Sequence, residues 1–174
     1  ELFESKSKKI TFSNKLTVAK NLELAGKLQL AENIYSQLIK EGTKSYDLLF
    51  SYALLCRNKM NFDQAKKLLF QSISKYPSRV DPYILLAEIN RLEKNFSKSE
   101  ELLLTARKIK PRNSNTFYNL ALLYREIHLK DIALDNINKA IKLLPSNHIY
   151  KLLKAEINIS LNNLNESRFI LNNL

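Results

Sequence analysis

The chain has 174 residues, of which 45% are hydrophobic and 26% charged, a mixture that supports a folded core rather than a disordered chain. One cysteine excludes an internal disulfide framework and, with only two histidines, leaves no zinc cluster, while two glycines and four prolines are too few for a strand-rich fold. The net charge of +11 attracts nucleic acid, anionic membrane or acidic protein, yet 21 Lys beside 19 Asn is also the bias of an AT-rich coding sequence, so net charge alone is a weak guide.

Residues 1–11 are read as a helical or frayed lead-in. Glu1-Leu2-Phe3-Glu4-Ser5-Lys6 lacks the basic-then-apolar order of a secretion signal and has no initiator methionine, which predicts a fragment or processed chain. No apolar run approaches the roughly 20 residues that span a bilayer, so no transmembrane segment and a cytoplasmic location are expected. From Phe12 onward the chain divides into units 12–45, 46–79, 80–113, 114–147 and a truncated 148–174. Each unit reads as two helices, as in Tyr46–Lys59 followed by Asp63–Tyr76. The turns between them carry Gly26-Lys27, Asn61, Asn95 and Asn163, residue types that tolerate a left-handed backbone. The fourth turn, His128-Leu129-Lys130, has no such residue.

The division rests on periodicity. Ala19, Ala53, Ala87, Ala121 and Ala155 lie 34 residues apart, and Ala31, Ala65, Ser99, Ala133 and Ser167 follow each by twelve. Leu38, Ser72, Ala106, Ala140 and Leu174 come seven further on, and ten of the eleven alanines fall in these three registers. Pro77, Pro111 and Pro145 repeat at the same interval, with Thr43 in the equivalent place. Small side chains at fixed positions let paired helices approach, because a large residue there would overpack the contact. Tyr35, Leu69, Leu103, Ile137 and Leu171 form a bulky register between units. Cys56, in register with Leu22, Asn90, Tyr124 and Asn158, is read as a small buried hydrophobe.

The small–small–bulky–small pattern with its closing proline, as in Ala121, Ala133, Ile137, Ala140 and Pro145, resembles the tetratricopeptide repeat. The resemblance covers residues 12–174, a single array. It implies an all-α solenoid of antiparallel helix pairs, a right-handed superhelix whose first helices line a concave groove. Lys15 and Lys151 depart from it, standing where large apolar residues are usual. They belong to the first and last units, where a polar face is expected. With no capping helix after it, the end formed by Leu161, Leu164, Ile170, Leu171 and Leu174 would be apolar. Continuation of the native chain is the favoured expectation, and end-to-end self-association the other.

On the implied groove face the fifth, ninth and twelfth residues of a unit stack. They give an apolar ladder, Leu16, Phe50, Ile84, Tyr118 and Leu152, and an arginine ladder, Arg57, Arg91 and Arg125. Phe50, Leu54, Arg57, Ile84, Arg91, Tyr118, Asn119, Leu122 and Arg125 are the candidate residues for binding a protein or peptide, with acidic groups for the guanidinium row. The alternative is structural: Arg91 would pair with Glu88, and Arg57 with Glu88 or Asp47. The carboxylate clamp of some members has no counterpart, since the first three units place Leu16, Lys20, Ser51, Asp81 and Leu85 at its positions. The next three units place Phe50, Leu54, Leu85, Asn115 and Asn119 there.

The basic run Thr105–Arg112 ends a predicted helix and reads as a solvated helix terminus. Nucleic acid ranks third as a partner, because Asp47, Asp81, Glu88 and Glu156 interrupt a basic groove. No catalytic triad, glycine-rich phosphate loop or metal-ligand spacing is present, so no enzyme activity, metal or cofactor is expected of this chain. The runner-up reading is a targeting or assembly region of a larger enzyme, such as a sulfotransferase or glycosyltransferase.

Overall fold

The computed structural model describes residues 2–173, with side chains from Phe12 onward. The register position at Leu174 therefore lies outside the described residues, as do the side chains of the lead-in. Among the described residues there are ten helices and no strand. They gather into two compact units, one up to Pro77 and the other from Ser78.

The first unit holds α1 (Leu2–Leu24), α2 (Leu28–Lys40), α3 (Tyr46–Asn58) and α4 (Phe62–Lys75). The lead-in continues without a break into α1, which runs for 23 residues. The second unit holds α5 (Asp81–Leu92), α6 (Phe96–Ile109), α7 (Ser114–Glu126), α8 (Lys130–Leu143), α9 (His148–Ser160) and α10 (Leu164–Asn172). Within each unit every second helix packs on the first helix of its own pair, and α2, α6 and α8 also pack on the first helix that follows. First helices touch one another as well, α1 with α3, α5 with α7 and α7 with α9. The fold is all-α, of the solenoid class built from antiparallel helix pairs.

The small registers do what their spacing predicts. Ala19, Ala31, Ala53, Ala65, Ala87, Ala121, Ala133 and Ala155 are all buried. Ser99 and Ser167, which replace alanine in the second register, satisfy their hydroxyls on the facing backbone: Ser99 Oγ donates to the Ala87 carbonyl at 2.8 Å and Ser167 Oγ to the Ala155 carbonyl at 3.1 Å. The buried Ser72 hydroxyl of the third register, by contrast, has no hydrogen-bond partner among the described residues. Tyr35, Leu69, Leu103 and Ile137 are buried, whereas Leu171 is exposed. In the second unit Ala121, Ala133, Ile137, Ala140, Tyr150, Leu153 and Ile157 form one core cluster. Cys56 is buried, and burial pushes its thiol up to about 12, so it remains a neutral packing group. Lys15, one of the two departures, is satisfied by Glu41 at 2.8 Å.

Second helices end at Lys75, Ile109 and Leu143, two residues before each register proline. The following helices start where a short polar side chain accepts a first-turn N–H: Ser45 from Leu48, Asn113 from Thr116 and Asn147 from Tyr150. At the equivalent place the sequence has Arg79, which is no such cap, and α5 starts one residue late, with Pro82 in its first turn.

The turns correct the sequence reading. The left-handed residues are Gly26, Met60, Lys94, His128 and Asn162, again 34 apart. Asn61, Asn95 and Asn163 come one position later, as caps of the next helix. Each turn closes by the same pair of backbone bonds: His128 N–H to the Arg125 carbonyl and Leu129 N–H to the Tyr124 carbonyl in the fourth, Met60 to Arg57 and Asn61 to Cys56 in the second. These bonds satisfy carbonyls that the helix end would otherwise leave unpaired. The fourth turn therefore has the conformation of the others despite its composition.

Candidate partner-binding face

In the first unit Phe50, Leu54 and Arg57 project from α3 at i, i+4 and i+7, the helical spacing of a shared face. Phe50 is half-buried and stacks on Tyr46, with centroids 5.7 Å apart and planes 6° apart. Leu54 lines a cleft of 450 Å³ between α1 and α3, together with Lys20, Glu23, Leu24, Leu28, Ser51 and Asn58. Glu23 is held on the far side by the Tyr35 hydroxyl, which donates to it. Arg57 is half-buried in the last turn of α3.

In the second unit the candidates separate into buried and accessible groups. Ile84 and Asn119 are almost wholly buried, at 4% and 7% exposure, and offer little to a ligand. The Asn119 amide donates back to the Asn115 carbonyl at 2.9 Å, so it ties its own helix. Tyr118 is half-buried, stacked on Tyr150 at 5.0 Å, and burial raises its hydroxyl above the usual phenol range. Leu122 packs beside it against the core cluster.

The two ladder arginines of this unit, Arg91 and Arg125, have carboxylate partners on the next first helix. Arg91 Nη1 donates to Glu126 Oε2 at 2.7 Å, and Lys94 binds the other oxygen of the same carboxylate. Although burial acts to raise it, the hydrogen bonds from Lys94 and Arg91 hold the Glu126 carboxyl below its usual range. Arg125 pairs with Glu156 on α9. The sequence reading placed the partner of Arg91 one turn away at Glu88; Glu126, 35 residues on, is the one found here. The ladder alone did not signal it, because the two partners stand at different offsets, 35 residues on for Arg91 and 31 for Arg125.

Sequence reasoning left Leu152 and Ile159 out of the site, although both fall on the same face. They are exposed on α9, at 43% and 53%, on either side of Glu156. On the candidate face of this unit the accessible part is thus an apolar strip of Leu152 and Ile159 on α9, with Tyr118 on α7, crossed by the Arg125–Glu156 pair. No helix among the described residues is long and apolar enough to cross a membrane.

A 34-residue helix pair with small residues at the crossings, a bulky residue between pairs and a closing proline is the tetratricopeptide repeat fold, and this chain has it. No family profile matches the sequence. The chain is 25% identical over 132 residues to the BBSome complex member BBS4 of Bos taurus, an alignment covering 75% of this chain. It spans about a quarter of the length of that relative. Among solved structures it superposes on a thermophilic tetratricopeptide protein of Thermus thermophilus with a TM-score of 0.79 and 18% identity, covering 91% of this chain and 87% of that one. PilF of Pseudomonas aeruginosa gives a TM-score of 0.80 at 14% identity, over 94% of this chain and 75% of that one.

Proposed function

We propose that this chain is a non-catalytic protein-interaction scaffold that holds a partner segment against the first helices of its pairs. The observation that carries this reading is the apolar strip of α9, where Leu152 and Ile159 remain exposed beside the stacked Tyr118 while the equivalent Leu16 and Ile84 are buried. Apolar anchors supply affinity, and the arginines select acidic groups. An acid on the partner would take the place of Glu156 on Arg125, whose pair is the more exposed of the two arginine pairs.

The test is affinity enrichment from native lysate at ~150 mM salt, where long-range attraction is screened. Leu54→Ser with Leu152→Ser is compared with Phe70→Ser with Ile132→Ser, after circular dichroism shows equal helicity. A partner kept by the second variant and lost by the first supports the reading, and loss from both or neither refutes it. Glu156→Gln should strengthen retention of an acidic partner and leave a neutral one unchanged.

The match to one quarter of a complex member favours a second reading, in which the repeats serve assembly within a larger protein or complex. Sedimentation of the native protein from its own cells tests this: a species near the mass of the isolated chain would oppose it.

A further inference from the structure

The charge surplus of the second unit is concentrated on one edge. Its helix-connecting segments alternate between two edges, because the helices are antiparallel. On one edge lie segments 91–101 and 125–135, where Glu93, Glu100, Glu101, Glu126, Asp131 and Asp135 offset the cations. On the other lie segments 105–115 and 139–149, which contain no acidic residue.

Those two acid-free segments are neighbours. The Tyr150 hydroxyl lies 3.4 Å from Ser114 Oγ, which sets the start of α9 beside the start of α7 and so brings the α6–α7 and α8–α9 connections together. Arg107, Lys108, Lys110, Arg112 and Lys142 are exposed there, and none forms an ion pair among the described residues. Lys139 is the exception, bound to Asp135 at 2.6 Å. The cations at the ends of α6 and α8 also face helix carbonyl termini, which accounts for their presence in the last turn but not for Lys110 and Arg112 beyond it.

Three large apolar side chains stand exposed among these cations: Ile109, Leu144 and Ile149, at 36%, 41% and 59%. These two segments contain no Phe, Tyr or Trp, and His148 is their single exposed aromatic ring, where single-stranded nucleic acid would use a row of them for base stacking. Unneutralised cations around protruding aliphatic groups match a surface that is anionic at its face and apolar just beneath, and that is a lipid bilayer bearing acidic headgroups. We propose that the α6–α7 and α8–α9 edge of the second unit is a peripheral docking surface for anionic membrane. The cations lie against the headgroups, and Ile109, Leu144 and Ile149 enter the acyl boundary. Ile149 stands one turn from Leu152 on α9, so this edge meets the strip of Leu152 and Ile159 there, and the cations at 108–112, at the end of another helix, are what separate the two assignments.

The test is co-sedimentation of the full chain with vesicles of phosphatidylserine and phosphatidylcholine, and with phosphatidylcholine alone, at ~100 mM salt. The wild type is expected to bind only the anionic vesicles. Lys108→Gln with Lys110→Gln and Arg112→Gln should weaken binding by at least ~30-fold, on the scale that each basic residue near an anionic surface contributes. Lys27→Gln with Lys40→Gln and Lys67→Gln removes the same charge from the first unit and should leave most of the binding intact. Ile109→Ser with Ile149→Ser should also weaken vesicle binding while leaving retention on heparin unchanged. Equal loss in the two charge variants would reduce the effect to net charge and overturn the proposal. Absence of vesicle binding, or binding of a single-stranded RNA by this edge with no preference for anionic vesicles, would overturn it too.

Discussion

Arg91 in the last turn of α5 donates to Glu126 in the last turn of α7 at 2.7 Å, so a guanidinium and a carboxylate join adjacent repeats at their turn ends. Both side chains are mostly shielded, at 16% and 25% exposure, which lifts the pair above the small contribution of an open surface bridge. Arg91→Met should destabilise the chain by about 1–2 kcal/mol, since Lys94 still serves the carboxylate. Chemical denaturation of Arg91→Met, Glu126→Gln and the double variant gives the coupling. A coupling near zero would show that the arginine contributes through its stem alone.

The same carboxylate sets a pH dependence. Because the Glu126 carboxyl is lowered in the fold, its ionised form stabilises the folded state above its ordinary value, and that contribution disappears as pH falls through the lowered one. The wild type should therefore exceed Glu126→Gln in stability at pH 7 and converge on it in acid. Thermal melts of both across pH 7 to about 3 would check this. A constant difference over that range would remove the carboxylate from the account.

The turns supply a prediction of opposite sign. Met60, Lys94 and His128 hold a left-handed backbone that costs a residue with a side chain about 1 kcal/mol, and glycine much less. Lys94→Gly carries the loss of a bond to Glu126, so His128→Gly is the cleaner change. It should stabilise by about 1 kcal/mol, or 2–4 °C in melting temperature for a chain of this size. Gly26→Ala should do the reverse, although the added methyl meets nothing within 4 Å, because its φ is +73°.

How much of this was legible from the sequence depends on what each residue type constrains. Alanine at a helix crossing has few substitutes, so Ala53 and Ala65 announce the pair and its register without any structure. A left-handed turn residue is different: the paired backbone bonds around His128 impose the conformation on whatever side chain is there. Composition therefore pointed to the asparagines one residue too late. Ion pairs were the least legible. Arg91 had Glu88 near in sequence, and only the packing of α5 on α7 brings Glu126 within reach. Burial divided the candidate face in the same way, since Ile84 and Leu152 share a register and differ in exposure only through what packs beside them.

The serines in the alanine registers allow a direct test of the helix crossing. Ser99 Oγ is fully buried and donates to the Ala87 carbonyl at 2.8 Å, while that carbonyl also accepts the ordinary bond of its own helix. Ser99→Ala removes the hydroxyl together with its need for a partner and leaves the carbonyl paired, so a loss of no more than about 1 kcal/mol is expected. Ser99→Val adds a second branch at Cβ, placing two methyl groups where the backbones meet, and should cost about 1–3 kcal/mol. Denaturant melts of the two variants separate a crossing limited by volume from one held by its hydrogen bond. If Ser99→Ala were the more damaging, the hydroxyl would be the principal tie between α5 and α6, and the spacing of small residues would matter less there than at Ala53 and Ala65.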